Sequence, residues 1–150
     1  MNNKKSRVKL YNVLFPVWML VLFPVVWIVV LPGNFIIDSL VLFLGMRVLN
    51  ISGKKAFYKK SILKIFCFGL LADLIGSAML FLFLALELVT RGDELYVTIP
   101  AVLLSGVMIF VFNYFVTFKN LEKEERFKLS LMFAAITAPY TFLIPTTWLY

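Results

Sequence analysis

Histidine is absent from this 150-residue chain. Ser–His and Cys–His nucleophilic pairs, histidine-ligated haem and histidine metal sites are therefore all excluded. Cysteine is nearly absent. Cys67 stands alone, so neither an internal disulfide nor a Cys-x-x-Cys pair can form. It lies in an apolar stretch and reads as an inert buried thiol. Charge is scarce too, at 15% of residues, against about 25% in an ordinary soluble domain. No metal site, no cofactor and no enzymatic reaction are expected from this inventory.

Apolar side chains are what the chain has in excess: 62% of residues, with a mean hydropathy of +0.95. A domain of this size cannot hide so much apolar surface from water, because small domains already expose much of theirs. Disorder, collagen-like structure and a disulfide scaffold do not fit either. The expected fold class is all-α: a polytopic integral membrane helical bundle in the cell membrane, forming one membrane domain over residues 1–150. In such a chain the net charge of +7 reports orientation rather than a nucleic-acid partner.

Charged or turn-rich stretches divide the apolar sequence. The run Val13–Leu49 would be about 55 Å long as one helix, whereas the hydrocarbon core is about 30 Å thick. It is expected to fold back at Leu31-Pro32-Gly33-Asn34, where proline and glycine break the helix and Asn34 caps the next. Lys54, Lys55, Lys59 and Lys60 mark a second break, Arg91, Asp93 and Glu94 a third, and Lys119–Lys128 a fourth. Five embedded segments follow, at about 12–31, 34–49, 61–88, 96–118 and 129–149.

This arrangement puts fourteen of the fifteen basic residues on one side, with Arg91 the exception. The positive-inside rule makes that side the cytoplasm, with the N-terminus in and the C-terminus out. Treating Val13–Leu49 as one crossing would place the Arg47–Lys64 cluster opposite the N-terminal lysines. The first two segments are either two crossings or a re-entrant hairpin. Two crossings are preferred, because irregular backbone at membrane depth needs protein shielding. Tyr11 and Tyr114 fall at the inner interface and Trp27, Tyr96, Trp148 and Tyr150 at the outer one, as amphipathic rings prefer. The first apolar stretch is too long and bulky for a cleaved signal peptide.

Polar residues inside the segments are the candidates for function. Asp38 is expected near the outer end of its segment and Asp73 near mid-depth. A charged side chain at the bilayer centre costs about 2.5–3.5 kcal/mol, so each should face other helices or water. Gly69, Ala72, Asp73, Gly76 and Ser77 recur at helical spacing, a small-residue face that lets a neighbouring helix come close. Ser105, Gly106 and Asn113 in the next segment and Thr137 in the last complete a candidate polar seam. Two readings stay open: helix–helix adhesion, or a site for a proton, a cation or a polar substrate. Asn34 with Asp38 also fits a cap followed by an acid in the first helical turn. An intramembrane aspartyl protease needs two facing carboxylates. The expected depths of Asp38 and Asp73 differ, and neither has the Gly-x-Gly-Asp or Asn-x-x-Asp context of those families.

Two motifs resemble the GtrA family, small bacterial polytopic proteins associated with moving lipid-linked sugars. Lys64-Ile65-Phe66-Cys67-Phe68-Gly69 is similar to that family's basic-aromatic-x-x-Gly span opening. Phe112-Asn113-Tyr114-Phe115-Val116-Thr117-Phe118-Lys119 resembles its Asn-Arg-Arg-x-Thr-Phe span ending, without the paired arginines. The resemblance covers residues 61–150 and implies a role in polyprenyl-phosphate sugar transport, with basic loops meeting anionic headgroups.

The leading expectation is a transport or permeation component using the seam around Asp73 and Asn113. A non-catalytic assembly or regulatory subunit is the alternative, and a lipid-modifying enzyme ranks last. The expected partners are the bilayer, anionic lipid headgroups, and either further copies of the chain or a larger membrane protein.

Overall fold

Apolar side chains with few breakers favour long helices, and helices make up the architecture. The computed structural model describes residues 24–86 and 95–143. The N-terminal basic stretch, the start of the first expected segment, the Arg91 loop and the C-terminal aromatics lie outside the described residues. Four α-helices run in order: α1 (Pro24–Val48), α2 (Lys54–Ala85), α3 (Leu95–Phe112) and α4 (Lys123–Thr137). A π-helical turn at Asn113–Thr117 continues α3, and a 3-10 turn at Tyr140–Leu143 follows α4. No strand occurs among the described residues.

Three stretches, Trp27–Val48, Lys54–Ala85 and Leu95–Thr117, are long and apolar enough to cross a membrane. The shortest spans about 33 Å at 1.5 Å per residue. The surface agrees. Ile28, Val29, Val48, Leu63 and Leu103 point outward, while Asp38, Ser61, Ser77, Thr98, Ser105, Asn113 and Ser130 are buried. This inside-out distribution suits a bundle solvated by lipid. Cys67 follows the same rule and corrects the expected buried thiol: it is exposed on α2.

The largest departure from expectation is at Pro32. The backbone does not turn at Leu31–Asn34; α1 runs through Pro32 and Gly33 without interruption. Segments 34–49 and the end of 12–31 are one helix. Proline removes one helical hydrogen bond, but a turn in hydrocarbon would strand several backbone groups, and proline in a membrane helix is the smaller cost. Asn34 is therefore not a cap. Asp38 is not in a first turn at the outer end but near the midpoint of Trp27–Val48. Elsewhere the bounds shift: α2 starts at Lys54 rather than 61 and ends at Ala85. Residues 96–118 are covered by α3 plus the π turn.

Short links reverse the chain. Asn50 and Gly53 take left-handed backbone conformations, with φ of 52° and 65°. These turn α1 into α2 within five residues, and glycine carries no Cβ penalty there. The link packs against the far end of α3. The Phe57 ring stacks on Phe118 at 6.0 Å, and Phe118 meets Phe133 of α4 at 5.9 Å. Met46, Ile51, Ile65 and Leu129 complete this core. A second core, at the other end, joins Leu80, Val97, Ala101 and Phe142. The basic residues at 47–64 and 119–128 thus share one end of the bundle.

α4 begins at that basic end. Glu124 and Glu125 occupy its first turn, where the helix dipole favours negative charge. Lys128 pairs with Glu124 at 2.5 Å in solvent and holds its carboxyl below the ordinary value. Arg126 lies over the Tyr114 ring at 3.9 Å and ties α4 to the π turn. The helix stops at Thr137 because Pro139 disfavours helical geometry at the residue before it. Ala138 is accordingly extended, with ψ of 147°.

Glycines set how closely the helices approach. A Cβ on Gly45 would collide with the Leu129 side chain of α4. One on Gly76 would collide with the Ser105 hydroxyl of α3 and lie 3.3 Å from the Ala101 carbonyl. Gly33 has nothing within 4 Å of that position. Gly76→Ala is expected to destabilise by about 1–3 kcal/mol, as overpacking does. Gly33→Ala should stabilise by roughly 0.5–1 kcal/mol, because alanine is the better helix former; reversible unfolding in detergent micelles measures both. Ser52→Cys and Asn120→Cys, each in a Cys67→Ser background, should react with a membrane-impermeant thiol reagent from the same side.

Candidate functional site

The unbroken course of α1 brings Asp38 to α2. Its carboxylate faces Gly69, 3.8 Å from where a Cβ on that residue would stand. One turn further along α2 is Asp73. Both aspartates line a cavity of about 380 Å³. Asn34 and Asp38 come from α1, and Phe66, Gly69 and Asp73 from α2. Thr137 closes the cavity from the end of α4, with Pro139, Tyr140, Thr141 and Phe142 of the turn beyond it. The helix break at Pro139 is what lays this turn across the opening between α1 and α2.

The cavity is chemically one-sided. Asp38 is 5% exposed, and among the described residues no lysine or arginine lines the space. The charge acting on Asp73 is that of Asp38. Neither aspartate has a hydrogen-bond or ion-pair partner among the described residues, and Asp73 Oδ1 is buried and unpaired. Thr137 Oγ1 donates to the Phe133 carbonyl at 2.8 Å and keeps its lone pairs free. Tyr140 donates its hydroxyl to the Ala135 carbonyl, which fixes the ring at the cavity wall. A second void of about 30 Å³ touches Asp73 beside Trp27, Val30 and Leu70, enough for one water.

The other sequence candidates lie elsewhere. Ser105 donates to the Ala72 carbonyl at 3.0 Å and clamps α3 to α2. Ala72, Gly76 and Ser77 are buried, Gly76 in that same seam. Gly106 faces α4, with the Ala134 carbonyl 3.6 Å from its Cβ position. Asn113 opens the π turn, is fully buried, and has no partner for either side-chain polar atom. It does not line the Asp73 cavity. The structure joins Asp73 with Asp38, Asn34 and Thr137, and separates it from Asn113 and Ser105.

Asp38 lies inside α1 rather than at a helix end, and although Asp73 is about one turn further along, both aspartates line one cavity. Their sequence contexts still differ from those of intramembrane aspartyl proteases. The aromatic walls, Phe66, Tyr140 and Phe142, carried no signal as single residues. Among the described residues no group of three or more Cys, Asp or Glu is placed to hold a metal ion.

Comparisons with known protein families, curated proteins and solved structures return no match to this chain.

Unpaired carboxylates inside a membrane bundle cost stability rather than supply it. Asp38→Asn and Asp73→Asn are therefore expected to melt at the wild-type temperature or above it in detergent. A group acting as helix adhesive would show the reverse, a lowered melting temperature.

Proposed function

We propose that the chain is a small multi-pass transport or permeation component, with its basic end in the cytoplasm and a cationic cargo or a coupling proton held between Asp38 and Asp73. One observation carries this reading: two acidic side chains from separate membrane-length helices line one cavity with no basic side chain among the described residues of its wall. Desolvated carboxylates without a counter-charge attract positive charge, and intramembrane acids of this kind mark ion and proton paths. The apolar remainder of the wall, with Phe66 and Phe142, offers little to an anion. The small-residue seam at Ala72, Gly76 and Ser105 fixes α2, which carries Asp73, against α3.

The test uses purified full-length chain in liposomes. Three cations are followed against protein-free vesicles: protons with an entrapped pH dye, rubidium, and radiolabelled methylammonium. At least one should cross faster with the protein present. That rate should fall about tenfold or more in Asp73→Asn and in Asp38→Asn, a loss of at least about 1.4 kcal/mol in barrier lowering, while circular dichroism shows the helices intact. Absence of protein-dependent flux for all three, or wild-type flux in both variants, overturns the reading.

A further inference from the structure

A second cavity, of about 560 Å³, lies at the basic end and is chemically opposite to the first. Its floor is Phe43 and Met46 of α1 with Ala56 and Tyr58 of α2, and its rim is Lys54, Lys55 and Lys59. No acidic side chain lines it among the described residues. The lysines are exposed and belong to the first turns of α2, the part of that helix the sequence placed in a loop. Tyr58 is fixed in place. The Ser39 hydroxyl donates to the Phe35 carbonyl at 2.7 Å, so in the 2.8 Å contact between the two hydroxyls Tyr58 is the donor.

The cavity continues onto lipid-facing surface. Ile36, Leu40 and Phe43 follow one another at helical spacing up α1 and are 58%, 58% and 56% exposed. An occupant that fits must therefore have a negatively charged head at the lysines and an apolar tail along α1. We infer that this is a binding site for one anionic phospholipid, its phosphate held by Lys54, Lys55 and Lys59 and an acyl chain lying against Phe43, Leu40 and Ile36. Charge complementarity selects the head, and the Phe43–Met46 floor distinguishes the site from lysines that merely extend toward headgroups at a helix end. The site is independent of the acidic cavity, which is lined by other residues.

Native mass spectrometry of the full chain, released from a neutral detergent, reads occupancy directly. Phosphatidylglycerol, phosphatidylcholine and inorganic phosphate are titrated separately. Phosphatidylglycerol should be retained as a single preferred copy, phosphatidylcholine much more weakly, and inorganic phosphate should not displace the lipid. Lys55→Gln with Lys59→Gln should weaken retention roughly thirty-fold, since each basic residue near a membrane surface contributes a factor of about five. Lys119→Gln with Lys123→Gln removes the same charge at the same end and should leave retention within about threefold, the reach of a screened distant charge. Three results overturn the assignment: equal losses in the two double variants, equal retention of the two lipids, or displacement by inorganic phosphate.

Discussion

A backbone amide or carbonyl inside a hydrocarbon layer has no water to bond with, and its only recourse is another part of the chain. The main features of this molecule follow from that requirement. Pro32 and Pro100 are both carried inside helices, because losing one bond costs less than the several a turn would strand. The end of α3 widens into a π turn instead of breaking, and the Phe118 amide still reaches the Asn113 carbonyl at 2.9 Å. Among the described residues a proline stops a helix only at Pro139, where α4 has run for 15 residues and the chain passes into a short 3-10 turn.

Once helices are obligatory, small residues decide where they touch and where they do not. At Gly76 and Gly45 the neighbouring chain fills the space a side chain would have occupied. At Gly69 the neighbour is a carboxylate, and it stands at ordinary contact distance, 3.8 Å from the Cβ position. The first pair of glycines marks close packing; the third faces the acidic cavity. Polar side chains divide along the same line. Ser105 spends its hydroxyl on a neighbouring backbone, whereas Asp38 and Asp73 spend theirs on no described residue. Adhesion and a candidate site, two readings of one seam in the sequence, are separate places in the fold.

Length and composition made the membrane class legible, since nothing else accommodates so many apolar residues in so short a chain. Asp73 and its small neighbours were legible too, because helical spacing projects directly onto a face. The partner of Asp73 was not. Proline and glycine together read as a turn in water, and the reading fails where water is absent; moving Asp38 from a helix end to mid-depth depends on that one reversal. The role of Tyr140 and Phe142 was hidden for a different reason. They reach the cavity through a tertiary fold-back, which periodicity along one helix cannot encode. Asn113 shows the converse: it was legible as a polar residue within a span, but it sits in the π turn at the end of α3 and does not line the acidic cavity.

The shortness of α4 has a mechanical consequence. Near the basic end the rings of Phe57, Phe118 and Phe133 interlock α2, the end of α3 and α4, and Leu42 and Met46 of α1 pack into the same core. Toward the other end α4 has already stopped, and a four-residue turn stands in for a helix. Local opening costs least where the fewest packed groups must part. Opening is therefore expected to start at the end where α4 has given way to a short turn, the side toward which the acidic cavity lies.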